Sequence, residues 1–147
     1  MKDVRLYNVI FPVWMLMLIP AIWLIVIPGN FLVDSLVLLI SIRCLKMENR
    51  KMFYRKNILK VFLFGFLADF IGIAFLFLTV AVLELSTKGD DLYLTAPATV
   101  LSGVCIFLFH YFISFRKCDQ KVRRCLSLTF AIATAPYTFM LPSAWIY

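Results

Sequence analysis

Residues 61–83 read VFLFGFLADFIGIAFLFLTVAVL, and this stretch decides the fold class of the chain. Asp69 is its only charged residue. A helix needs about 20 predominantly apolar residues to cross the roughly 30 Å hydrocarbon core of a bilayer. The stretch therefore predicts a transmembrane helix with one carboxylate near its middle.

The rest of the chain has the same character: of 147 residues, 63% are hydrophobic, and the mean hydropathy of +0.94 excludes a water-soluble domain. The sequence Pro28-Gly29-Asn30 is typical of a tight turn, which would join the first two helices as a hairpin. We predict an all-α fold, a polytopic integral membrane helical bundle forming one domain over residues 1–147. Its apolar runs predict about five transmembrane helices, near residues 7–27, 31–45, 61–83, 94–115 and 126–141.

The cationic residues predict the orientation of this bundle. Of the 15 Lys and Arg residues, 14 lie within residues 1–6, 43–60 and 116–124. Cationic flanks are retained on the cytoplasmic side of a membrane. We therefore expect a multi-pass protein of the cell membrane with its N-terminus inside and its C-terminus outside. We expect the first helix to stay in the mature protein, because no small-residue cleavage site follows it.

The segment from Lys46 to Lys60 mixes cations with Met, Phe and Tyr residues. This composition is typical of a segment that lies on an anionic leaflet. We predict that the lipid headgroups of the inner leaflet contact Arg50, Lys51, Arg55 and Lys56. Nucleic-acid binding is not expected, because the cations are divided among separate flanks of the helices.

Small residues on two predicted helices mark the faces that should pack together. Without a strong hydrophobic force between helices in lipid, close backbone approach at small residues favours their association. We predict helix packing through Gly65, Ala68, Gly72, Thr99 and Gly103.

Three ionisable residues within the predicted spans are candidates for an ion or proton site: Asp69, Asp34 and His110. Asp69 follows Lys60 by nine residues, which places it about 13 Å into the membrane at 1.5 Å per residue. It could exchange a proton or cation there, or it could hold the helices together by a buried bond to Arg43 or His110. Asp34 should lie nearer the outer surface, because it follows Asn30 of the predicted turn by only four positions.

A weak internal similarity links the two aspartates. The tetrapeptides FLVD (31–34) and FLAD (66–69) lie on helices predicted to run in opposite directions, as in inverted repeats. In that interpretation Asn30, Asp34 and Ser41 line a polar path that Asp69 continues.

No enzyme signature is present, and we do not expect catalysis. The chain lacks a glycine-rich phosphate loop and an HExxH sequence, and its two intramembrane aspartates are predicted to lie at different depths. The tetrapeptide Gly65-Phe66-Leu67-Ala68 before Asp69 also differs from the Gly-x-Gly-Asp pattern of intramembrane aspartyl proteases.

No cofactor or metal is expected either. His110 is the only histidine, so it cannot form a His-based metal site alone. The cysteines include no CxxC pair, and we expect no stable disulfides among Cys44, Cys105, Cys118 and Cys125.

Two hypotheses of function remain. The first is an accessory or scaffold subunit that associates with itself as a homo-oligomer or with a larger membrane-protein partner. This hypothesis is favoured by the small number of polar groups that point into the predicted bundle. The second is a small proton- or cation-coupled transporter or channel with Asp69 as its intramembrane exchange site, which a carboxylate at the midplane favours.

Overall fold

The computed structural model describes residues 19–79 and 92–137, and these residues form four α-helices. The helices are α1 (Pro20–Cys44), α2 (Arg50–Phe77), α3 (Leu92–Phe109) and α4 (Gln120–Ala133). The described residues contain no β-strand, and the predicted all-α class is confirmed. Within the described residues, three segments are long and apolar enough to cross a membrane: Pro20–Cys44, Arg50–Phe77 and Thr95–Ser114. The count of about five helices and the orientation stay predictions, and both chain termini lie outside the described residues.

Helix α1 contradicts the predicted hairpin. The chain is helical without interruption from Pro20 to Cys44, and Pro28 and Gly29 lie inside this helix. A turn within the hydrocarbon would leave backbone N–H and C=O groups without partners, and this costs more than the single hydrogen bond that Pro28 removes. The turn preference of Pro-Gly-Asn is therefore overridden, and Pro20 instead occupies the first turn of the helix, where a proline is favoured.

The basic segment 46–60 was predicted to precede the next transmembrane helix and to lie on the membrane surface. In the structure, most of it forms the start of α2, a helix of transmembrane length. Only a short turn, residues 45–49, separates α1 from α2, and Lys46 adopts a left-handed conformation there with φ of 49°. The four side chains predicted to contact lipid headgroups are exposed on the first two turns of α2: Arg50, Lys51, Arg55 and Lys56. Their contact with lipid stays a prediction.

The second half of the chain follows the predicted helices more closely. The helix expected near 94–115 corresponds to α3 together with a π-helical turn, His110–Ser114, which continues it. The wider turn is closed by Phe115, whose N–H donates to the carbonyl of His110 at 2.9 Å. Helix α4 begins at Gln120, six residues before the predicted 126, and residues 138–141 of that prediction lie outside the described residues.

The hydrophobic core joins all four helices at their basic end. The Phe53 ring of α2 stacks on Phe115 with ring centroids 6.3 Å apart, and Phe130 of α4 packs against the same ring. The buried core residues are Leu38, Ile42, Ile58, Val61, Ala68, Ile106, Phe115, Leu126 and Phe130. This packing places the turns 45–49 and 115–119 at the same end of the bundle, and 12 of the 15 Lys and Arg residues lie in the segments 43–60 and 116–124 around these turns.

The residues predicted for helix packing lie mostly inside the bundle. Gly65, Ala68 and Gly72 are buried on α2, Thr99 is buried on α3, and Gly103 is half-buried. A Cβ at Gly103 would lie 3.6 Å from the carbonyl oxygen of Ala131, so α3 and α4 approach closely at this point.

Candidate functional site

A cavity of about 300 Å³ lies between α1, α2 and the chain that follows α4. Its polar side chains include those of Asn30, Asp34, Asp69 and Thr134. The remaining lining residues are Val26, Gly29, Val33, Gly65, Phe66, Ala133, Ala135, Pro136 and Tyr137. The cavity thus surrounds two carboxylates with a largely apolar wall.

Asp69 joins three helices through hydrogen bonds. The Asn30 side-chain amide of α1 donates to Asp69 Oδ2 at 3.4 Å, and the Ser102 hydroxyl of α3 donates to Asp69 Oδ1 at 3.2 Å. Both distances are at or beyond the long end of the usual range, so these bonds hold the carboxylate without saturating it. The carboxylate keeps acceptor capacity for a ligand in the cavity.

Asp34 lines the same cavity from α1, one helical turn after Asn30, and it is only 5% exposed. The described residues provide no hydrogen-bond donor to its carboxylate. The side chain lies against the bare backbone of α2, where a Cβ on Gly65 would be 3.4 Å from Asp34 Oδ2. Asp34 and Asp69 therefore line one cavity from two neighbouring helices.

The two aspartates lie at similar depth, which corrects the prediction that Asp34 is near the outer surface. Asp34 precedes Arg43 by nine residues, and Asp69 follows Lys60 by nine residues. At 1.5 Å per residue each carboxylate is about 13 Å from the nearest cation of its own helix, close to half of a roughly 30 Å hydrocarbon core. The prediction was wrong because it started the helix at residue 31, whereas α1 starts at Pro20.

The electrostatics of the cavity require a counter-charge. None of the residues that line it is a lysine or an arginine. A buried charge is costly unless it is paired, so two neighbouring carboxylates in apolar surroundings need a proton or a cation between them. Within the described residues, no group of three His, Cys, Asp or Glu side chains could hold a metal ion.

His110, the third candidate, does not belong to this site. It is fully buried at the start of the π-helical turn, with its ring against Phe115 and Phe130 at centroid distances of 5.7 and 5.0 Å. Neither ring nitrogen has a hydrogen-bond partner among the described residues. The predicted bond from Asp69 to His110 is therefore not formed. Arg43, the other predicted partner of Asp69, is exposed.

Ser41, predicted as part of the polar path, is not among the residues that line the cavity. Its hydroxyl donates to the carbonyl of Val37 within α1 at 2.7 Å. Ser102 was not among the predicted site residues, although its hydroxyl donates to Asp69. The signal for its role was its spacing of three residues from Thr99, which puts both side chains on one face of α3.

No known protein family, curated protein or solved structure significantly matches the chain.

Proposed function

We propose that the protein is a small transporter or channel in which Asp34 and Asp69 exchange a proton or another monovalent cation. The observation that carries this proposal is the placement of both carboxylates in one cavity without a cationic side chain. In a scaffold, a buried carboxylate would be expected to end in an ion pair or a full set of hydrogen bonds. Asp34 has neither among the described residues, although it is almost completely buried.

The exchange follows from charge balance. When the site is empty, a proton on one carboxyl group reduces the repulsion between Asp34 and Asp69. An entering cation supplies the same positive charge, so binding of the cation releases the proton. The hydrogen bonds from Asn30 and Ser102 hold Asp69 in place during both steps. The cycle couples cation entry to proton exit at one pair of side chains.

The proposal includes location and orientation. We place the bundle in the cell membrane as a multi-pass protein, with the turns 45–49 and 115–119 on the cytoplasmic side, because 12 of the 15 Lys and Arg residues lie in the segments 43–60 and 116–124 around these turns. The exposed cations at the start of α2 would then contact anionic headgroups of the inner leaflet.

The accessory-subunit hypothesis stays a prediction with weaker support. It was based on the small number of inward polar groups, whereas the cavity holds Asn30, Asp34, Asp69 and Thr134. The expectation that the protein is not an enzyme also loses one argument, because the two aspartates lie at similar depth. It now rests on the absence of a recognisable catalytic motif.

The test is proton flux into liposomes that contain only the purified protein, followed with a trapped pH-sensitive dye under an imposed cation gradient. Asp69→Asn keeps a side chain that can bond Ser102, and it should abolish cation-driven proton flux while leaving folding intact. Asp34→Asn should do the same. Asp119→Asn is the matched control, because Asp119 is exposed in the turn before α4 and outside the cavity. Equal flux in wild type and Asp69→Asn would refute the proposal.

A further inference from the structure

The size of the cavity indicates a cargo larger than a proton or a bare inorganic ion. Its volume is about 300 Å³, and a second recess of about 90 Å³ adjoins it through shared lining residues, Asn30, Phe66 and Asp69 among them. One water molecule occupies roughly 30 Å³ of liquid volume, so the main cavity is several times the size that a small ion requires. Volumes from about 300 Å³ upward are typical of sites for small organic ligands.

The chemistry of the wall points the same way. Hard divalent cations take six or more oxygen ligands, and they favour sites rich in carboxylates and carbonyls. Here the side chains of the main cavity that carry oxygen are those of Asn30, Asp34, Asp69, Thr134 and Tyr137, and the hydroxyls of Thr134 and Tyr137 donate to backbone carbonyls. Most of the other lining residues are apolar. They would contact the hydrocarbon part of an organic ligand, and their side chains offer no oxygen to an ion.

Aromatic rings stand beside the charged pair. Phe66 lines both the cavity and the recess, and the Trp23 ring meets it edge to face with centroids 6.0 Å apart. Tyr137 lines the main cavity after the end of α4. Aromatic faces attract organic cations, above all quaternary ammonium groups.

The burial of Asp34, one of the two carboxylates, is a further argument for a ligand in the cavity. Asp34 is 5% exposed, lines the cavity, and has no hydrogen-bond partner in the described part of the chain. Gly65 also lines the cavity, and because it has no Cβ, no side chain of α2 fills the space beside the Asp34 Oδ2 atom there. A charged carboxylate in this position requires a positive partner, which none of the described residues that line the cavity supplies.

We propose that the cargo is an amphipathic organic cation, with its charged centre between Asp34 and Asp69 and its apolar part against Phe66 and Trp23. This inference rests on the proposed function, because it names the class of cation that the same site exchanges for protons. A weakly hydrated ammonium group loses less on leaving water than a compact inorganic ion does, and the apolar wall supplies contacts that an inorganic ion cannot use.

The probe for this proposal is benzyltrimethylammonium, whose binding to the full-length protein in lipid nanodiscs is measured by equilibrium dialysis. Its uncharged counterpart of the same shape, neopentylbenzene, serves as the competitor control. We expect benzyltrimethylammonium to bind and to release protons, and neopentylbenzene not to displace it. Displacement by neopentylbenzene at equal concentration would overturn the role of charge.

Variants assign the binding to the two parts of the site. Asp34→Asn and Asp69→Asn should each weaken binding by about tenfold or more, as expected for loss of one charge-assisted contact. Phe66→Leu should weaken it by a few-fold, in line with loss of about one cation–π contact at an apolar site. Phe112→Leu is the matched control, because Phe112 is an exposed ring outside the cavity. Equal weakening in both phenylalanine variants would contradict the aromatic contact.

The failure of this inference can be separated from the failure of the proposed function. Proton flux that depends on Asp69 and is driven by an inorganic cation, without binding of benzyltrimethylammonium, would overturn the cargo class and leave the exchange site. Binding that depends on Asp69 without flux of any cation would support the cargo class and overturn transport. Absence of both would overturn both proposals.

Discussion

A single methyl group at Gly65 should impair the site without harming the fold. A Cβ at this position would lie 3.4 Å from Asp34 Oδ2 and 4.0 Å from Asp34 Oδ1, with no other atom outside its own helix segment within 4 Å. The alanine methyl therefore fits at ordinary contact distance. Because Gly65 lines the cavity, the methyl also occupies part of the space beside the Asp34 carboxylate that a cation would use.

The two effects of Gly65→Ala have opposite signs. Replacing a glycine in a helix interior by alanine stabilises the helix by up to about 1 kcal/mol. Losing one hydrogen bond or ionic contact to a carboxylate weakens binding by about 1.5 kcal/mol, which corresponds to roughly tenfold in affinity. We expect an unchanged or higher midpoint of thermal unfolding in detergent, together with a half-saturating cation concentration about tenfold higher in proteoliposome flux.

Gly103→Ala provides the control for Gly65→Ala. Its Cβ would meet the Ala131 carbonyl oxygen at 3.6 Å and Ala135 Cβ at 4.0 Å, so it also fits, and Gly103 does not line the cavity. It should bring a similar gain in helix propensity and leave the cation dependence of flux unchanged. Wild-type cation dependence in Gly65→Ala, or an equal loss in Gly103→Ala, would refute the role assigned to Asp34.

Three further substitutions or reactions test other parts of the structure. His110→Phe should leave the free energy of unfolding unchanged or raise it by up to about 1 kcal/mol, because it removes a buried polar ring without hydrogen-bond partners in the described residues. Flux should persist in this variant, and loss of flux would show that His110 takes part in transport. Tyr54→Phe removes the hydrogen bond between the Tyr54 and Ser35 hydroxyls and should cost about 1 kcal/mol in chemical denaturation, whereas no change would contradict that bond. Burial raises the pKa of the Cys118 thiol, whereas Cys125 is exposed. In single-cysteine variants, maleimide should therefore label Cys118 more slowly than Cys125 at neutral pH, and the Cys118 rate should rise as the pH increases. Equal rates at neutral pH would argue against this burial.

The sequence allowed the class of fold to be predicted because apolar length is a direct consequence of bilayer thickness. It did not allow the path of the chain around Pro28 to be predicted. Local turn preferences are measured where water can satisfy the backbone, and within a membrane the continuous helix wins because it satisfies its own hydrogen bonds. Helix α2 also begins earlier than predicted, at Arg50. It includes a cationic segment whose charges had suggested that it would lie on the membrane surface.

The candidate site was predictable only in part. Asp69 stood out because a lone carboxylate in a long apolar run is costly. Its proximity to Asp34 was not predicted, since the depth of Asp34 depends on where α1 begins. The matched tetrapeptides ending in Asp34 and Asp69 were the better guide, because they place both carboxylates at corresponding positions of neighbouring helices. Ser102 and Thr134 carry no charge, and their contribution requires the packing of α3 and of the chain after α4 to be known.

The exchange of a cation for a proton at the carboxylate pair is the central claim, and infrared difference spectroscopy of the purified protein in lipid measures it most directly. Addition of a transported cation should remove the carbonyl stretch of a protonated carboxyl group in the wild type. The same band should be unaffected in Asp69→Asn and should respond normally in Asp119→Asn. A wild-type spectrum without any carboxyl change, or an identical change in Asp69→Asn, would contradict the assignment of Asp69 as the exchange site.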